Sequence, residues 1–430
     1  MKYLPIDRQL FIKNREKFAS KMAPNSMAIF NSNDVYPISA DSTLPFAQHR
    51  DILYLSGVDQ EESVLVIFPD CPKKENREIL FLKETNEHIA VWEGEKLDKE
   101  KALKTSGIAT VYWLQDMDKV LFELMTQAET VYINTNEHYR ANVETETRDA
   151  RFIKKLKAKY PAHNYKRCQP IIQRLRSVKE PQEIEMIQRA CDITEKGFKR
   201  VLGFMKPEVM EYEVEAEFIH EFISNRSAGF AYTPIIGSGY NACVLHYIEN
   251  NQPCKEGDVV LMDVGAEYAN YASDMTRCVP VSGKFSARQK EVYNAVLRVK
   301  DAAAKMLVPG TIWADYHVEV GKLMTGELLA LGLISQEDVD KEDPNWPAYK
   351  KYFMHGTSHH MGLDTHDYGI LTEPMVANMV FTVEPGIYIP EENLGIRLED
   401  DYVIQESGEP INLMKNIPIE IDDIEKWMAG

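Results

Sequence analysis

The sequence lacks long apolar runs, C-x-x-C pairs and a surplus of positive charge. It has no run of eighteen apolar residues, and its N-terminal stretch is charged throughout, so neither a membrane-spanning helix nor a signal peptide is expected. The six cysteines are scattered, which argues against a zinc ribbon or a disulfide framework and predicts reduced thiols in a cytoplasmic protein. The formal net charge of −18 argues against a general nucleic-acid binder, because phosphate binding depends on Lys and Arg.

The length and the apolar pattern indicate a first domain of the α/β class. A chain of 430 residues exceeds what one hydrophobic core usually supports, so two domains are expected. Strands are predicted for the short apolar runs SMAIF, ILYLSG, SVLVIF, REILFL and TVYIN, and a helix for DKVLFELMTQ. This alternation predicts a mixed or parallel sheet in residues 1–172, ending near the basic, irregular stretch KYPAHNYKRCQP.

The remaining residues, 173–430, show a repeated helical arrangement. Pro181 begins an amphipathic helix, Pro207 interrupts the pattern, and a second helix follows. About a hundred residues later, Ser286 can cap a similar helix, Pro309 interrupts the pattern, and another helix follows. Strand-like segments come after both pairs, which indicates a duplicated α+β half. Two unrelated helical hairpins are the alternative.

Two aspartates lie in strand-like segments joined by a short turn, in DVVLMDVGAEYANYASDMTRCV. The turn is expected near Ala269. Asp263 and Asp274 should then face each other across the hairpin, with β-carbons roughly 5 Å apart. Two carboxylates at this distance repel each other, so a shared proton, a basic partner or a metal should compensate them. Alternatively, Asp263 ends its strand in solvent and pairs with Arg277.

A second pair of acids and a histidine cluster strengthen the metal interpretation. Glu384 ends one apolar run and Glu399 lies inside the next, and four of the eleven histidines fall in HGTSHHMGLDTHD, just before this pair. Four embedded acids with one imidazole suit two divalent cations such as Mn²⁺, Fe²⁺, Co²⁺ or Zn²⁺. Two such ions can polarise a carbonyl and activate water.

Five motifs resemble a known family. MDVGAEY, SDMTR, HGTSHHMGLDTHD, TVEPGIYI and GIRLEDD are similar, in order and spacing, to the metal-site motifs of the pita-bread-fold metallopeptidases, in their Xaa-Pro aminopeptidase (aminopeptidase P) branch. LPFAQHRDILYLSGVDQEESVLVIFPD and VKEPQEIEMIQRA resemble the N-terminal domain and the domain junction of that branch. The resemblance covers most of the chain. It implies an α/β, creatinase/aminopeptidase-P N-like domain at 1–172 and an α+β pita-bread metallopeptidase domain at 173–430.

The resemblance also implies a ligand set for two divalent metal ions per subunit, Mn²⁺ first and Co²⁺, Fe²⁺ or Zn²⁺ as alternatives. The implied ligands are Asp263, Asp274, His359, Glu384 and Glu399. Asp274 and Glu399 would bridge both ions, Asp263 would hold one, and His359 with Glu384 would hold the other. Glu384 would in addition be the general base that takes the proton of the attacking, ion-bridging water.

Three further histidines match catalytic positions of the family. His246, His355 and His366 would line the substrate site, where an imidazole can donate to the scissile carbonyl oxygen as negative charge builds. His360 lies where the family often has a bulky apolar or aromatic residue, so a packing role is expected for it.

Substrate-binding positions are also implied. Tyr388 and Arg397 would flank the proline pocket with His355, although Arg397 could instead only balance the local acids. Trp92 matches a family tryptophan that helps close the site, and a plain core or surface aromatic is the alternative reading.

The activity implied by the resemblance is removal of the first residue from peptides with proline in second position, by a homodimer or homotetramer. A prolidase, which cleaves Xaa-Pro dipeptides, is the alternative within the fold. A methionine aminopeptidase is disfavoured because those chains usually lack this N-terminal domain, and a metal-free creatinase-like enzyme because the ligand set is complete. A non-catalytic peptide- or protein-binding member is the alternative from another class, since a fold does not determine a function.

Overall fold

The computed structural model describes residues 2–430. They form two compact units, Tyr3–Arg176 and Ser177–Gly430. Within residues 2–430, no helix combines the length and the apolar character needed to cross a lipid bilayer.

The first unit is built on a mixed sheet. Its strands are β1 (Ser26–Asn31), β2 (Pro37–Ser39), β3 (Ser42–Thr43), β4 (Val64–Ile67), β5 (Glu78–Leu82), β6 (Thr110–Trp113), β7 (Thr130–Ile133) and β8 (Asn164–Arg167). The sheet order is β6-β5-β4-β1-β7-β8, and β2 pairs separately with β3. β1 is parallel to β7 and antiparallel to β4, so the sheet is mixed. The runs SMAIF, SVLVIF, REILFL and TVYIN are strands, as predicted.

Helices cover both faces of this sheet. They are α1 (Gln9–Ala19), α2 (Arg50–Ser56), α3 (Glu87–Glu93), α4 (Lys99–Ser106), α5 (Met117–Met125), α6 (Arg148–Lys159) and α7 (Gln169–Ser177), with 3₁₀ turns at Lys74–Asn76 and Leu114–Asp116. On one face, Met27 and Ile29 of β1 pack in a cluster with Leu124 of α5. On the other, Phe30 meets Phe18 of α1 with ring centroids 5.3 Å apart. Alternate residues of the strand thus serve two cores.

The strand prediction for ILYLSG is wrong, because this run forms α2. The His49 side chain accepts a hydrogen bond from the Asp51 N–H (3.2 Å), which caps the first turn of the helix. The helix ends at Gly57, whose φ of 67° lies in the left-handed region. A short, buried apolar run fits a strand or a helix equally well, and here the caps decide.

The second unit contains two long helix pairs. Its helices are α8 (Pro181–Phe204), α9 (Glu211–Ser224), α10 (Ala287–Lys305), α11 (Trp313–Ala330), α12 (Gln336–Asp340) and α13 (Ile421–Ala429), with 3₁₀ turns at Gly239–Cys243, Ala348–Lys351 and Pro390–Glu392. α8 packs on α9 and α10 on α11, and both pairs precede strands. The predicted duplication of an α+β half is confirmed at this level.

The strands of the second unit form two interrupted hairpins. They are β9 (Ile235–Ser238), β10 (Val259–Val264), β11 (Glu267–Tyr268), β12 (Tyr271–Ala272), β13 (Met275–Pro280), β14 (Val380–Val383), β15 (Gly386–Ile389), β16 (Leu394–Arg397), β17 (Asp400–Val403) and β18 (Ile411–Asn412). In the first hairpin β10 pairs with β13 and β11 with β12; in the second, β14 pairs with β17 and β15 with β16. Each hairpin breaks its ladder midway, where acidic residues lie.

The register of the first hairpin differs from the predicted one. Asp263 lies opposite Thr276, so Asp274 is its diagonal neighbour on the same face. The cause is a two-residue turn at Ala269 and Asn270, whose φ angles of 54° and 68° are those of a type I′ turn. The centre of this turn lies one residue beyond the centre that a direct Asp263–Asp274 pair requires, which shifts the pairing by two residues and so leaves both acids on one face.

One bridge connects the two hairpins. Thr276 of β13 pairs with Glu399, and the Glu399 N–H donates to the Thr276 carbonyl oxygen at 3.1 Å. The buried Arg277 guanidinium donates to the Glu399 carbonyl oxygen at 2.6 Å. The broken ladders of both halves therefore meet at one place in the unit.

Candidate metal centre

The acids of the first hairpin converge on a tyrosine. The Tyr232 hydroxyl lies 2.7 Å from Asp263 Oδ1 and 2.5 Å from Asp274 Oδ1. Burial, and then the negative charges of the two aspartates, raise the pKa of Tyr232 well above its usual value, so this hydroxyl stays a proton donor between them.

The second hairpin contributes its acids from the opposite side. Glu399 Oε2 accepts a hydrogen bond from Thr276 Oγ1 at 2.7 Å, which directs its carboxylate toward the first hairpin. Glu384 follows β14, and its N–H donates to the Thr357 carbonyl oxygen at 2.7 Å. Residues 357–361 thus run beside β14 as an added edge segment, which brings the histidine cluster next to the acids.

The His359 imidazole is oriented by its own segment. Its Nδ1 lies 3.0 Å from the His360 carbonyl oxygen, an acceptor, so Nδ1 carries the proton and Nε2 presents a lone pair. Nε2 lies 3.3 Å from Asp274 Oδ2 and 3.8 Å from Glu384 Oε1. A ring held by a carbonyl at one nitrogen and facing carboxylates with the other is the usual arrangement of a metal-ligating histidine.

Three of the five expected ligands form a tight buried group. Ligand atoms of Asp274, His359 and Glu399 all lie within 4.8 Å of one another. The Tyr232 hydroxyl connects Asp263 to Asp274 of this group, and Glu384 Oε1 lies 3.8 Å from His359 Nε2. The structure therefore brings all five predicted ligands together.

The charges of this group are poorly balanced by the protein. Burial, reinforced by the negative charges of neighbouring acids, raises the pKa values of Asp274 and Glu399 well above their usual range. Desolvation raises the pKa of Glu384 to about 7. Oxygen ligands with one imidazole lone pair and an excess of negative charge fit divalent cations, which would relieve this repulsion.

Arg397 begins a hydrogen-bonded chain that leads away from the acids. Its Nη2 donates to Asp263 Oδ2 at 2.6 Å and its Nη1 to the Tyr388 hydroxyl at 2.8 Å. The Tyr388 hydroxyl lies 2.7 Å from His355 Nε2, and His355 Nδ1 lies 2.8 Å from the Gly356 carbonyl oxygen. Desolvation lowers the pKa of His355 to about 3, so this ring is neutral and both its nitrogens are engaged. Arg397 balances an acid and orients Tyr388 at the same time.

The other predicted residues lie in three different settings. The exposed His366 ring is 4.4 Å from the His359 ring at 81°. His246 is exposed after the 3₁₀ turn Gly239–Cys243. Trp92 belongs to α3 of the first unit and is 80% exposed. His360 packs against the Phe381 ring at 4.2 Å, as expected for a packing residue.

Several residues that hold the ligands lie outside the predicted set. Besides Tyr232, Thr276 donates to Glu399, and Asp401 Oδ2 accepts from the Asp274 N–H at 3.0 Å. Thr276 stands two positions after Asp274, so strand alternation could have placed it on the same face. Asp401 has the same signal, since it stands two positions after Glu399, whereas Tyr232 has none, because long-range packing brings it to the site.

Comparison with known proteins gives a consistent result. Residues 185–406 match the family model described as metallopeptidase family M24, and residues 11–132 match the aminopeptidase P N-terminal domain. The Xaa-Pro aminopeptidase of Escherichia coli is 33% identical, over 99% of this chain and 98% of its own length.

Solved structures agree along the whole chain. Aminopeptidase PepP of Pseudomonas aeruginosa superposes with a TM-score of 0.89 at 29% identity, covering 100% of this chain and 99% of the other. E. coli aminopeptidase P with the inhibitor Pro-Leu gives a TM-score of 0.87 at 31% identity and 99% coverage of both chains. A zinc-substituted form of that enzyme in complex with product matches equally well.

Proposed function

Because this chain belongs to metallopeptidase family M24, we propose that it is a metal-dependent aminopeptidase acting on peptides with proline in second position. It hydrolyses the bond before that proline and releases the first residue. The observation that carries this proposal is the buried group of Asp274, His359 and Glu399, in a chain similar over its full length to Xaa-Pro aminopeptidases.

Two divalent ions, with Mn²⁺ as the first choice, would be held by Asp263, Asp274, His359, Glu384 and Glu399. When bound, they polarise the scissile carbonyl and lower the pKa of water, so that hydroxide is available near neutral pH. The convergence of the acids from both hairpins and the lone pair of His359 Nε2 support this assignment.

The protein's own groups prepare this chemistry. Tyr232 holds the carboxylates of Asp263 and Asp274 at a set separation, and the His360 carbonyl oxygen sets the plane of the His359 ring. Glu384 is the proposed general base: a carboxylate oxygen takes a proton from the attacking water and returns it to the proline nitrogen as the peptide bond breaks. Its 20% exposed side chain lies between the buried ligands and solvent.

Substrate recognition is assigned to groups at the edge of the cluster. His246 and His366 are exposed imidazoles that can donate to the carbonyl oxygen of the scissile bond. Tyr388, fixed between Arg397 and His355, forms one wall for the proline ring.

Further proposals concern the rest of the chain. Residues 1–172 would form a domain that limits substrate access, and residues 173–430 the catalytic domain. Trp92 would help to close a substrate site. The enzyme would be a homodimer or homotetramer. The exposed indole of Trp92 supports its role, because a large aromatic in solvent suits a contact surface. A cytoplasmic location is supported by six free cysteines.

The test uses chelator-stripped enzyme with and without added Mn²⁺. Its substrates are a Xaa-Pro-Xaa tripeptide and the matching Xaa-Pro dipeptide. We expect metal-dependent release of the first residue from the tripeptide and slow cleavage of the dipeptide. Preference for the dipeptide would make the enzyme a prolidase, and cleavage of neither would contradict the proposal.

A matched pair of variants tests the site itself. His359→Ala should lower bound metal and abolish activity, because it removes the imidazole ligand. His220→Ala, on the exposed face of α9, should leave both unchanged. Equal metal content in the two variants would contradict the ligand assignment.

A further inference from the structure

Glu211, the first residue of α9, is a fully buried carboxylate that the proposed chemistry does not use. Its relative exposure is 0%. Oε1 accepts from the Ser238 N–H (2.8 Å) and Asn241 Nδ2 (3.2 Å). Oε2 accepts from the Tyr247 hydroxyl (2.8 Å) and the Gln252 N–H (2.9 Å). All four donors are uncharged groups.

A buried carboxylate among neutral donors is an unusual way to close a loop. Moving a charge out of water is unfavourable, and here four hydrogen bonds and the N-terminal end of a 14-residue helix compensate it. The Glu211 N–H also donates to the Gln252 carbonyl oxygen at 3.0 Å. An apolar side chain could fill the same space without burying a charge. The four hydrogen bonds of Glu211 therefore indicate that the residues bonded to it have to be held in one position.

The four donors all belong to residues 238–252, the segment that carries His246. Ser238 and Gln252 fix its two ends, and Tyr247 is the direct neighbour of His246. Tyr247 is buried at 8% exposure, while the neighbouring His246 is exposed. The hydrogen bond that holds the Tyr247 side chain in the interior therefore also directs the His246 side chain toward solvent. His246 also lowers the pKa of His355, after burial and Arg397, so its ring lies within electrostatic range of His355.

The same segment presses on a strand of the site. A Cβ at Gly395 of β16 would lie 2.2 Å from the Ala242 carbonyl oxygen, which shows how closely the 3₁₀ turn packs there. β16 also bears Arg397. This packing holds the turn against β16 independently of the Glu211 hydrogen bonds, so a change at Glu211 should reach the reaction through His246.

The other half of the second unit has a comparable contact at the matching position. Glu211 stands four residues after Pro207, and Trp313 stands four residues after Pro309. The Trp313 ring lies parallel to the His360 ring, with 6.3 Å between centroids and 8° between planes, and His360 adjoins His359. In each half, the first residue of the second helix contacts the segment that carries a histidine of the site.

We propose that Glu211 is a positioning residue that holds His246 in place for the substrate. It binds both ends and the centre of the 238–252 segment, and it acts on the reaction through His246 alone. This inference rests on the proposed function, since it requires His246 to contact the substrate.

The test is a double-mutant cycle in the Mn²⁺-loaded, full-length enzyme with the Xaa-Pro-Xaa tripeptide. Glu211→Gln retains the shape but replaces one acceptor oxygen by a donor. It should lower kcat/KM by about tenfold, and Tyr247→Phe, which removes one donor, by less. In a His246→Ala background, Glu211→Gln should have almost no further effect, because the group it positions is gone. Glu213→Gln, on the exposed face of the same helical turn, is the matched control and should be as active as the unchanged enzyme.

Amide hydrogen exchange supplies a readout independent of activity. In Glu211→Gln, the amides of Ser238 and Gln252 should exchange faster, while those of β10 and the metal content stay unchanged. A full, additive loss in the His246→Ala background, or unchanged exchange at Ser238 and Gln252, would overturn the inference and leave the proposed function intact. Failure of the unchanged, metal-loaded enzyme to cleave any Xaa-Pro peptide would overturn both.

Discussion

Glu183 in the first turn of α8 should make the stability of the second unit depend on pH. Its side chain is 1% exposed; Oε2 accepts from the Glu180 N–H (2.9 Å) and Oε1 from the Tyr271 hydroxyl (3.1 Å). Burial raises the pKa of Glu183 from 4.5 to about 7, although the nearby Lys179 lowers it. The folded protein therefore holds a proton here that the unfolded chain releases at lower pH.

The sign follows from this difference in proton binding. Below the unfolded pKa of 4.5, both states carry the proton and the full stability is present; between 4.5 and about 7 the folded state binds more protons, so stability falls as pH rises. At 1.36 kcal/mol for each tenfold change in proton affinity, the loss amounts to about 3 kcal/mol. In a unit of this size, that corresponds to roughly 6–12 °C in Tm.

The measurement compares metal-free wild type and Glu183→Gln by thermal unfolding between about pH 5 and about pH 8. Gln stays neutral, so the variant should gain about 3 kcal/mol relative to wild type across this range. Glu213→Gln is the control, since Glu213 occupies the same capping position on α9 but is exposed, and its difference from wild type should stay constant. If the Glu183→Gln difference also stayed constant, the carboxyl would not titrate as argued.

Three further results are expected. Gly265→Ala places a Cβ 1.7 Å from the Ser273 carbonyl oxygen, so it should cost about 3 kcal/mol or more in unfolding free energy and lower the bound metal; unchanged Tm and metal content would contradict this. Asp400→Asn removes the buried counter-charge of Arg277 and leaves Lys300 only the more distant, exposed Asp301 at 3.8 Å, so it should cost about 3–5 kcal/mol, more than Lys300→Met, in which the pair of Arg277 and Asp400 survives; equal Tm values for the two variants would refute the ranking. Adding Mn²⁺ to stripped protein at about a hundredfold above its dissociation constant should stabilise it by about 2.7 kcal/mol, and an unchanged Tm would argue against a preformed site.

Periodicity and spacing predicted much of the fold. The strands β1, β4, β5 and β7 were identifiable as short apolar runs rich in β-branched and aromatic residues, and the two proline-interrupted helix pairs because their apolar residues repeat with a period of 3.6. The run ILYLSG was misassigned because six apolar and small residues fit either element, and the decisive cap came from the His49 side chain. Local sequence patterns therefore predict the type of a long element more reliably than that of a short one.

The acids and His359 of the site could be predicted because motifs carry them in a recognisable order. The relative placement of Asp263 and Asp274 could not, because the turn at Ala269 and Asn270 contains no glycine to mark its centre. Tyr232 and Glu211 escaped for another reason: each acts through contacts with residues far along the chain, and nothing in its own surroundings in the sequence indicates them.

The bridge between Thr276 and Glu399 has a consequence for biosynthesis. Asp263 leaves the ribosome 136 residues before Glu399, so the nascent chain carries the first pair of acids long before the second hairpin exists. The group formed by Asp274, His359 and Glu399 cannot assemble until the chain has been synthesised through Glu399. Metal incorporation therefore has to follow the synthesis of both hairpins, because neither hairpin alone carries the complete ligand group.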